Sequence, residues 1–156
     1  MVHAPQSIHA TSPELTELPA RSAAVVRVDG PVGALPRLLG EAFELTANAV
    51  TASGATFAGP PFARYLRFGE TVTAEVGFPY AGELVPTERV YRTLLPGGRA
   101  VKGVHVGPYE TIATTWEATR TWLRDQGLVA TGTPWESYLS EPDATPPVTE
   151  VLFPVR

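Results

Sequence analysis

Hydrophobic and polar residues follow two periods along this chain, and each period predicts one type of element. β-Branched runs over residues 23–29 and 99–106, bounded by glycine and proline, are typical of strands. After Gly30-Pro31, apolar residues recur at helical spacing at Leu35, Leu39, Ala42, Phe43, Thr46 and Val50. After Gly107-Pro108 they recur again at Ile112, Trp116, Thr119 and Leu123. We therefore predict two helices, each followed by a C-cap glycine, Gly54 and Gly127.

Shorter extended runs complete the pattern. Segments 14–18 and 88–95 precede the long strands, segments 62–68 and 135–140 follow the helices, and segments 71–78 and 149–155 end each half. The order is a β-α-β-β repeat, preceded each time by a short strand and used twice. Helices that alternate with adjacent strands predict an α+β fold, with an antiparallel sheet and with the helices on one face.

An internal repeat supports this organisation. Gly30-Pro31 recurs 77 positions later (107 − 30), whereas residues 59–66 match residues 132–139 at an offset of 73 (132 − 59). The four extra residues of the first half equal about one helical turn, so we expect its helix to be longer by a turn. We predict a flexible N-terminus over residues 1–12 and one domain over 13–156, built from pseudo-symmetric repeats 13–80 and 88–156. Such a pair is expected to leave a ligand groove at its seam.

Composition and charge narrow the function classes. The chain has a net charge of −4, one lysine and no basic cluster, which argues against direct nucleic-acid binding. It contains no cysteine, which excludes disulfides and thiolate metal sites. We see neither a signal peptide nor an apolar run long enough to span a membrane, so we expect a soluble, cytoplasmic protein.

The two halves differ most sharply at Glu136, whose counterpart is Ala63. Side chains alternate between the faces of a strand. We expect the helix-facing residues to be Trp135, Leu139, Phe62 and Leu66. The opposite face, near the seam, is expected to carry Glu136, Tyr138, Tyr65 and Ala63. This arrangement predicts a cavity with one acid and two phenols.

A carboxylate among aromatic rings is suited to holding an organic cation, because the rings bury apolar area and face the charge. The same carboxylate could act as a general base or acid. The alternative is that Glu136 lies exposed on an edge strand. Tyr65 and Tyr138 recur in both halves, so a structural role explains them equally well.

Several motifs together resemble one known family. They are Gly107-Pro108-Tyr109-Glu110, the segment 132–139, the acidic and proline-rich loop 143–147, and the closing segment 150–155. In order, spacing and duplication they resemble the GyrI-like family, whose domain also forms the effector-binding part of multidrug-responsive transcription regulators. The resemblance covers about residues 13–156. The few residues before it leave no room for a helix-turn-helix, so direct operator binding is not expected.

The resemblance implies tandem β-α-β-β repeats with a central groove for hydrophobic and cationic drugs or dyes. It implies a buried glutamate at Glu136 and aromatic groove residues, for which the matches are Tyr65, Tyr109, Trp135 and Tyr138. We add Phe62 and Ala63, from the same strand as Tyr65, to the predicted ligand-binding residues. Some members hydrolyse cyclopropane-bearing genotoxic compounds with a glutamate, here Glu136, and a tyrosine, for which Tyr109 is one candidate. The first half departs from the pattern, because Val32 replaces the aromatic residue.

Three function classes stay open from the sequence. The first is a binding module that sequesters or senses hydrophobic, often cationic, small molecules. The second is a hydrolase of strained cyclopropanes that uses Glu136 and a tyrosine. The third is a protein-interaction module, such as a gyrase modulator, with an unknown partner. We predict no cofactor and no metal, because the histidines (His3, His9 and His105) have no metal-ligand spacing and no phosphate-binding glycine loop occurs.

Overall fold

The computed structural model describes residues 12–141 and 143–156. Within these residues the strands are β1 (Glu14–Leu18), β2 (Arg21–Pro31), β3 (Thr56–Phe57), β4 (Phe62–Phe68), β5 (Thr71–Ala81), β6 (Val90–Leu95), β7 (Gly98–Val106), β8 (Trp135–Tyr138) and β9 (Val148–Pro154). The helices are α1 (Leu35–Ala52) and α2 (Ile112–Asp125). The predicted α+β class is confirmed. The predicted flexible N-terminus, residues 1–12, lies outside the described residues except for residue 12.

The chain forms two compact units. The first unit is Pro19–Gly97, and the second unit combines the residues up to Leu18 with Gly98–Arg156. In the first unit the antiparallel strand order is β4-β5-β2-β6, with β3 on β5. In the second unit the order is β1-β7-β9-β8. The opening strand of each sequence repeat, β1 or β6, therefore belongs to the unit built by the other repeat.

The helices bear out the difference expected between the repeats. Helix α1 has 18 residues and α2 has 14, so the first is longer by about one turn. A 3-10 turn separates each Gly-Pro pair from its helix, at Val32–Ala34 and at Tyr109–Thr111. Both helices end as predicted, because Gly54 and Gly127 each have φ of +75°.

Each unit packs its helix on one face of its own strands. In the second unit the core is formed by Val101, Leu123, Val151, Phe153 and Val155. Helix α2 lies so close to β7 that a Cβ atom at Gly103 would stand 2.0 Å from Oγ1 of Thr119. Among the described residues, no helix is both long and apolar enough to cross a membrane.

The same aromatic contact joins helix and strand in both units. The rings of Trp116 and Phe153 meet edge to face with centroids 5.1 Å apart. In the first unit Phe43 and Phe78 do the same at 5.8 Å. Trp116 follows Phe43 at the repeat offset of 73 positions (116 − 43), so the two helices present corresponding residues to corresponding strands.

Candidate functional site

Glu136 is the centre of the second unit's polar cluster. It lies in β8 opposite Val151 of β9, and only 2% of its surface is exposed. The side chain is therefore buried beside the apolar core, contrary to the alternative of an exposed edge position. A carboxylate taken out of water needs replacement hydrogen bonds. Three donors supply them.

Two phenols donate to one carboxylate oxygen of Glu136. The hydroxyl of Tyr109 donates to Oε1 at 2.5 Å, and the hydroxyl of Tyr138 donates to the same atom at 2.7 Å. The two hydroxyl oxygens are 3.4 Å apart. Their rings are tilted by 55° with centroids 6.0 Å apart. Tyr109 is 38% exposed, so this side of the cluster borders solvent.

The third donor comes from helix α2. Nε1 of Trp116 donates to Oε2 of Glu136 at 2.6 Å. The indole is partly buried against the core and is held by its edge-to-face contact with Phe153. The two carboxylate oxygens thus have different surroundings: Oε2 is fixed by the core, and Oε1 is shared by phenols at the surface.

A buried histidine organises the turn that carries Tyr109. His105 is 8% exposed, and its Nε2 lies 2.9 Å from the carbonyl oxygen of Pro108. Its Nδ1 lies 2.7 Å from Oγ1 of Thr115 on α2. The hydroxyl of Thr111 also donates to Pro108 at 2.9 Å. These contacts fix the 3-10 turn and thereby aim the Tyr109 side chain.

The structure reverses the predicted faces of β4 and β8. The bond from Trp116 of α2 shows that Glu136 faces the helix, so alternation puts Trp135 on the other face. In the first unit Phe43 of α1 contacts Phe78, so alternation turns Val76, and with it Ala63 opposite, toward the helix. The prediction of Trp135, Leu139, Phe62 and Leu66 on the helix side was therefore wrong for Trp135 and Phe62.

The two leucines of that prediction do not pack under the helices either. Leu66 is 42% exposed, because the pairing of β4 with β5 shifts register between Tyr65 and Arg67. Such a bulge breaks the alternation of faces. Leu139 follows the end of β8 and is 46% exposed.

The first unit carries apolar residues at most of the matching positions. Val32 stands for Tyr109, Phe43 for Trp116 and Ala63 for Glu136, while Tyr65 keeps the tyrosine of Tyr138. Glu136 and two of the residues that donate to it, Tyr109 and Trp116, therefore all have apolar counterparts in the first repeat. Ala63 is fully buried, and Tyr65 is 8% exposed with its ring against Phe68.

The sequence predicted Glu136, Tyr109 and Tyr138 as site residues, and the structure brings these three together. It predicted no role in the site for Trp116 or His105. A comparison of the repeats could have identified Trp116, because its indole carries an N–H donor where the corresponding residue, Phe43, carries none. Nothing in the spacing distinguished His105. Trp135 and Phe62 are buried, at 4% and 1% exposure, on the faces away from their helices.

A second carboxylate–phenol pair lies in the first unit. Glu75 forms a 2.8 Å ion pair with Arg64 and accepts a 2.8 Å hydrogen bond from the hydroxyl of Tyr91. Burial, followed by the hydrogen bond to Glu75, raises the pKa of Tyr91 to about 12. The positive charge of Arg64 balances Glu75, so this cluster is suited to holding strands β4, β5 and β6 together.

Within residues 12–141 and 143–156, no group of three or more His, Cys, Asp or Glu side chains is arranged to hold a metal ion.

The sequence matches a known protein family over nearly its whole length. Residues 11–156 match the family described as the GyrI-like small-molecule-binding domain. No protein with a curated description matches the sequence.

Solved structures share the fold at low identity. The EcmrR C-terminal domain is 22% identical over 93% of this chain and 97% of that chain, with a TM-score of 0.75. A hydrolase from Listeria innocua is 17% identical over 97% and 96%, with a TM-score of 0.63. SAV2435 bound to tetraphenylphosphonium is 10% identical over 94% of each chain, with a TM-score of 0.67.

Proposed function

The chain belongs to the GyrI-like family of small-molecule-binding domains, and we propose that it binds apolar, cationic molecules at the Glu136 cluster. The cluster is defined as Glu136, Tyr109, Tyr138 and Trp116. Such binding serves to sense or to sequester the compound, and it needs no cofactor. We place the activity in the cytoplasm.

The observation that carries this proposal is the coordinated difference between the repeats. The first unit builds the same kind of helix-on-sheet packing with apolar residues at these positions, so the packing alone does not require the polar set. Here the acid and the donors Tyr109 and Trp116 are replaced together by Ala63, Val32 and Phe43. A buried carboxylate costs free energy that an alanine does not. Its presence with a dedicated set of donors supports a role in ligand binding.

The chemistry of the cluster favours a cation with aromatic or aliphatic bulk. Charge interactions strengthen where water is excluded, and Glu136 is almost fully buried. The faces of the Tyr109 and Tyr138 rings offer cation–π attraction and apolar area. The fold shared with SAV2435 in complex with tetraphenylphosphonium supports the same ligand class.

A fluorescence titration with rhodamine 6G, a cationic dye, tests the proposal. We expect saturable binding to the wild type and a loss of at least about tenfold in affinity for Glu136→Gln, which keeps the shape but removes the charge. The control is Glu117→Gln, which removes one charge from a carboxylate that is 73% exposed on α2. Equal affinity of all three proteins, or no binding by any, would contradict the proposal.

A second candidate, hydrolysis, is favoured by the 2.5 Å contact between Tyr109 and Glu136. Glu136 would take a proton from a water whose oxygen bonds to a ring carbon of a cyclopropane conjugated with a carbonyl. The ring C–C bond breaks and its electrons pass to the carbonyl oxygen, to which the phenol of Tyr109 would donate a hydrogen bond. The proton held by Glu136 would then pass to the enolate carbon, so that the product has gained one water. The fold shared with the Listeria innocua hydrolase is compatible with such chemistry.

Turnover separates the two candidates. If the protein is a hydrolase, it should open the ring of a cyclopropane-bearing substrate. Mass spectrometry would detect the product by its gain of one water. Hydrolysis also predicts that both Glu136→Gln and Tyr109→Phe abolish the reaction. Saturable binding without any gain of water rejects hydrolysis of that substrate and leaves the binding proposal in place.

The other residues that we predicted to contact the ligand lie outside the Glu136 cluster. Trp135, Phe62, Ala63 and Tyr65 are all buried, and their part in ligand binding stays a prediction from the sequence. A substitution such as Tyr65→Phe, read by the same dye titration, tests whether the hydroxyl takes part.

A further inference from the structure

We infer that the Glu136 cluster selects cations that carry no N–H donor, such as quaternary ammonium or phosphonium ions, over primary ammonium ions. The inference rests on the proposed function and names the ligand class within it. The deciding feature is how much of the carboxylate's capacity to accept hydrogen bonds is already used by the protein.

A carboxylate offers roughly four lone-pair directions to donors. In Glu136, Oε1 already accepts from Tyr109 and Tyr138, and Oε2 accepts from Trp116. All three distances, 2.5 to 2.7 Å, are short. Few directions therefore remain for a donor from outside.

A primary ammonium ion needs acceptors that this site does not offer freely. It has three N–H donors and is strongly hydrated. The two phenol oxygens of the cluster can each accept a hydrogen bond, but they are fewer than its three donors, so part of its hydration is not replaced. To reach Oε1 it must displace the hydroxyl of Tyr109 or Tyr138, which then loses its own acceptor. A quaternary cation has no such donors. It avoids both costs and keeps the attraction to the charge.

The rings of Tyr109 and Tyr138 also provide aromatic faces that attract a quaternary cation. Their rings are tilted by 55° with centroids 6.0 Å apart, and Tyr109 is 38% exposed. Cation–π attraction acts within about 6 Å of a ring centroid. The Coulomb attraction to Glu136 falls only as the inverse of distance, so it acts across the hydroxyls without contact.

Three ligands that share one naphthalene ring test the effect, and two of them, the quaternary ion and the neutral isostere, also match in shape. The three ligands are 2-naphthylmethyl-trimethylammonium, 2-naphthylmethylammonium, and the neutral isostere 2-neopentylnaphthalene, in which carbon replaces the quaternary nitrogen. Affinities are measured by isothermal titration or by naphthalene fluorescence. For the wild type we expect the quaternary ion to bind at least about tenfold more tightly than the primary ammonium. We also expect it to bind more tightly than the neutral isostere.

The variant Tyr109→Phe with Tyr138→Phe removes both phenol donors from Oε1 while keeping both rings. The ratio of quaternary to primary affinity should fall at least about tenfold, because the primary ammonium now finds an acceptor. Tyr91→Phe is the matched control: it removes a phenol from Glu75 in the first unit and should leave the ratio unchanged. If the double variant does not fold, Tyr138→Phe alone should lower the ratio in the same direction.

The outcomes separate this inference from the proposed function. Primary and quaternary ions that bind equally, both more tightly than the neutral isostere, overturn the inference and leave cation binding intact. A ratio that is unchanged when the phenols are removed also overturns it. Failure of both cations to bind more tightly than the neutral isostere overturns the proposed function itself.

Discussion

The indole nitrogen of Trp116 lies 2.6 Å from Oε2 of Glu136, and this bond ties helix α2 to strand β8. In the first unit the corresponding residues are Phe43 and Ala63, which form no such bond because neither has a polar side chain. The aromatic contact with the last strand is kept in both units, through Phe153 and Phe78. The polar bond is therefore added to a packing arrangement that does not need it.

Trp116→Phe tests the contribution of that bond. The ring stays in the core, but Oε2 of Glu136 loses its donor, so the free energy of unfolding should fall by about 1–3 kcal/mol. Urea denaturation gives the value. The control is Trp122→Phe, which removes the same atoms from a residue packed on the same core cluster. A loss in the control that is equal or larger would show that indole volume, and not the bond to Glu136, explains the effect.

His105→Phe tests whether the histidine holds the turn of Tyr109. The substitution keeps an aromatic ring but removes the contacts to Pro108 and Thr115. We expect the amide of Thr111, which donates to Pro108 at 3.2 Å, to exchange with deuterium faster. The amide of Leu128, bonded to Leu123 beyond the turn, serves as the internal reference and should be unchanged relative to global unfolding. Equal acceleration of both amides would mean general destabilisation instead.

Tyr91 gives the first unit a dependence on alkaline pH. Its pKa is raised from 10.0 to about 12, chiefly by burial and then by its bond to Glu75. The folded state therefore keeps a proton that the unfolded state loses. The resulting stability is complete below pH 10 and is lost as the pH rises toward 12.

Urea midpoints measured from pH 8 to pH 12 check this dependence. The midpoint of the wild type should fall more steeply above pH 10 than that of Tyr91→Phe, which has no proton to lose there. Parallel curves for the two proteins would contradict the raised pKa.

Gly103→Ala should destabilise the second unit by about 1–3 kcal/mol through overpacking. The new Cβ atom would lie 2.0 Å from Oγ1 of Thr119 and 3.1 Å from Cγ2 of Val151, which is the strand partner of Glu136. Gly40→Ala in α1 is the opposite case, since nothing lies within 4 Å of its added Cβ. It should stabilise by about 0.5–1 kcal/mol through helix propensity. In thermal unfolding, the midpoint temperature should fall for Gly103→Ala and rise for Gly40→Ala.

The sequence predicted the elements well because their signals are local. Periods of two and 3.6 residues, Gly-Pro pairs and C-cap glycines all act within a few positions, and the repeat tested each one twice. The one-turn difference between α1 and α2 followed from the change in offset. The pairing of β1 with β7 did not follow, because the partner of a strand is set by backbone bonds that leave little trace in sequence.

The orientation of β8 was mispredicted for a physical reason. Alternation separates Trp135 from Glu136 but does not say which faces the helix. The largest apolar residue was assigned to the helix side, yet both residues are buried, at 4% and 2% exposure. The clue lay outside the strand, in Trp116, whose indole can donate where Phe43 cannot.

The central claim is that the charge of Glu136 draws cations to this cluster, and two ions of matched shape test it most directly. Tetraphenylphosphonium and tetraphenylborate differ in the sign of their charge, so isothermal titration of both, in sodium buffer, isolates electrostatics from apolar contact. We predict that the wild type prefers the phosphonium and that Glu136→Gln reduces the preference at least about tenfold. Equal affinity for the two ions, or a preference that survives the substitution unchanged, would contradict the account.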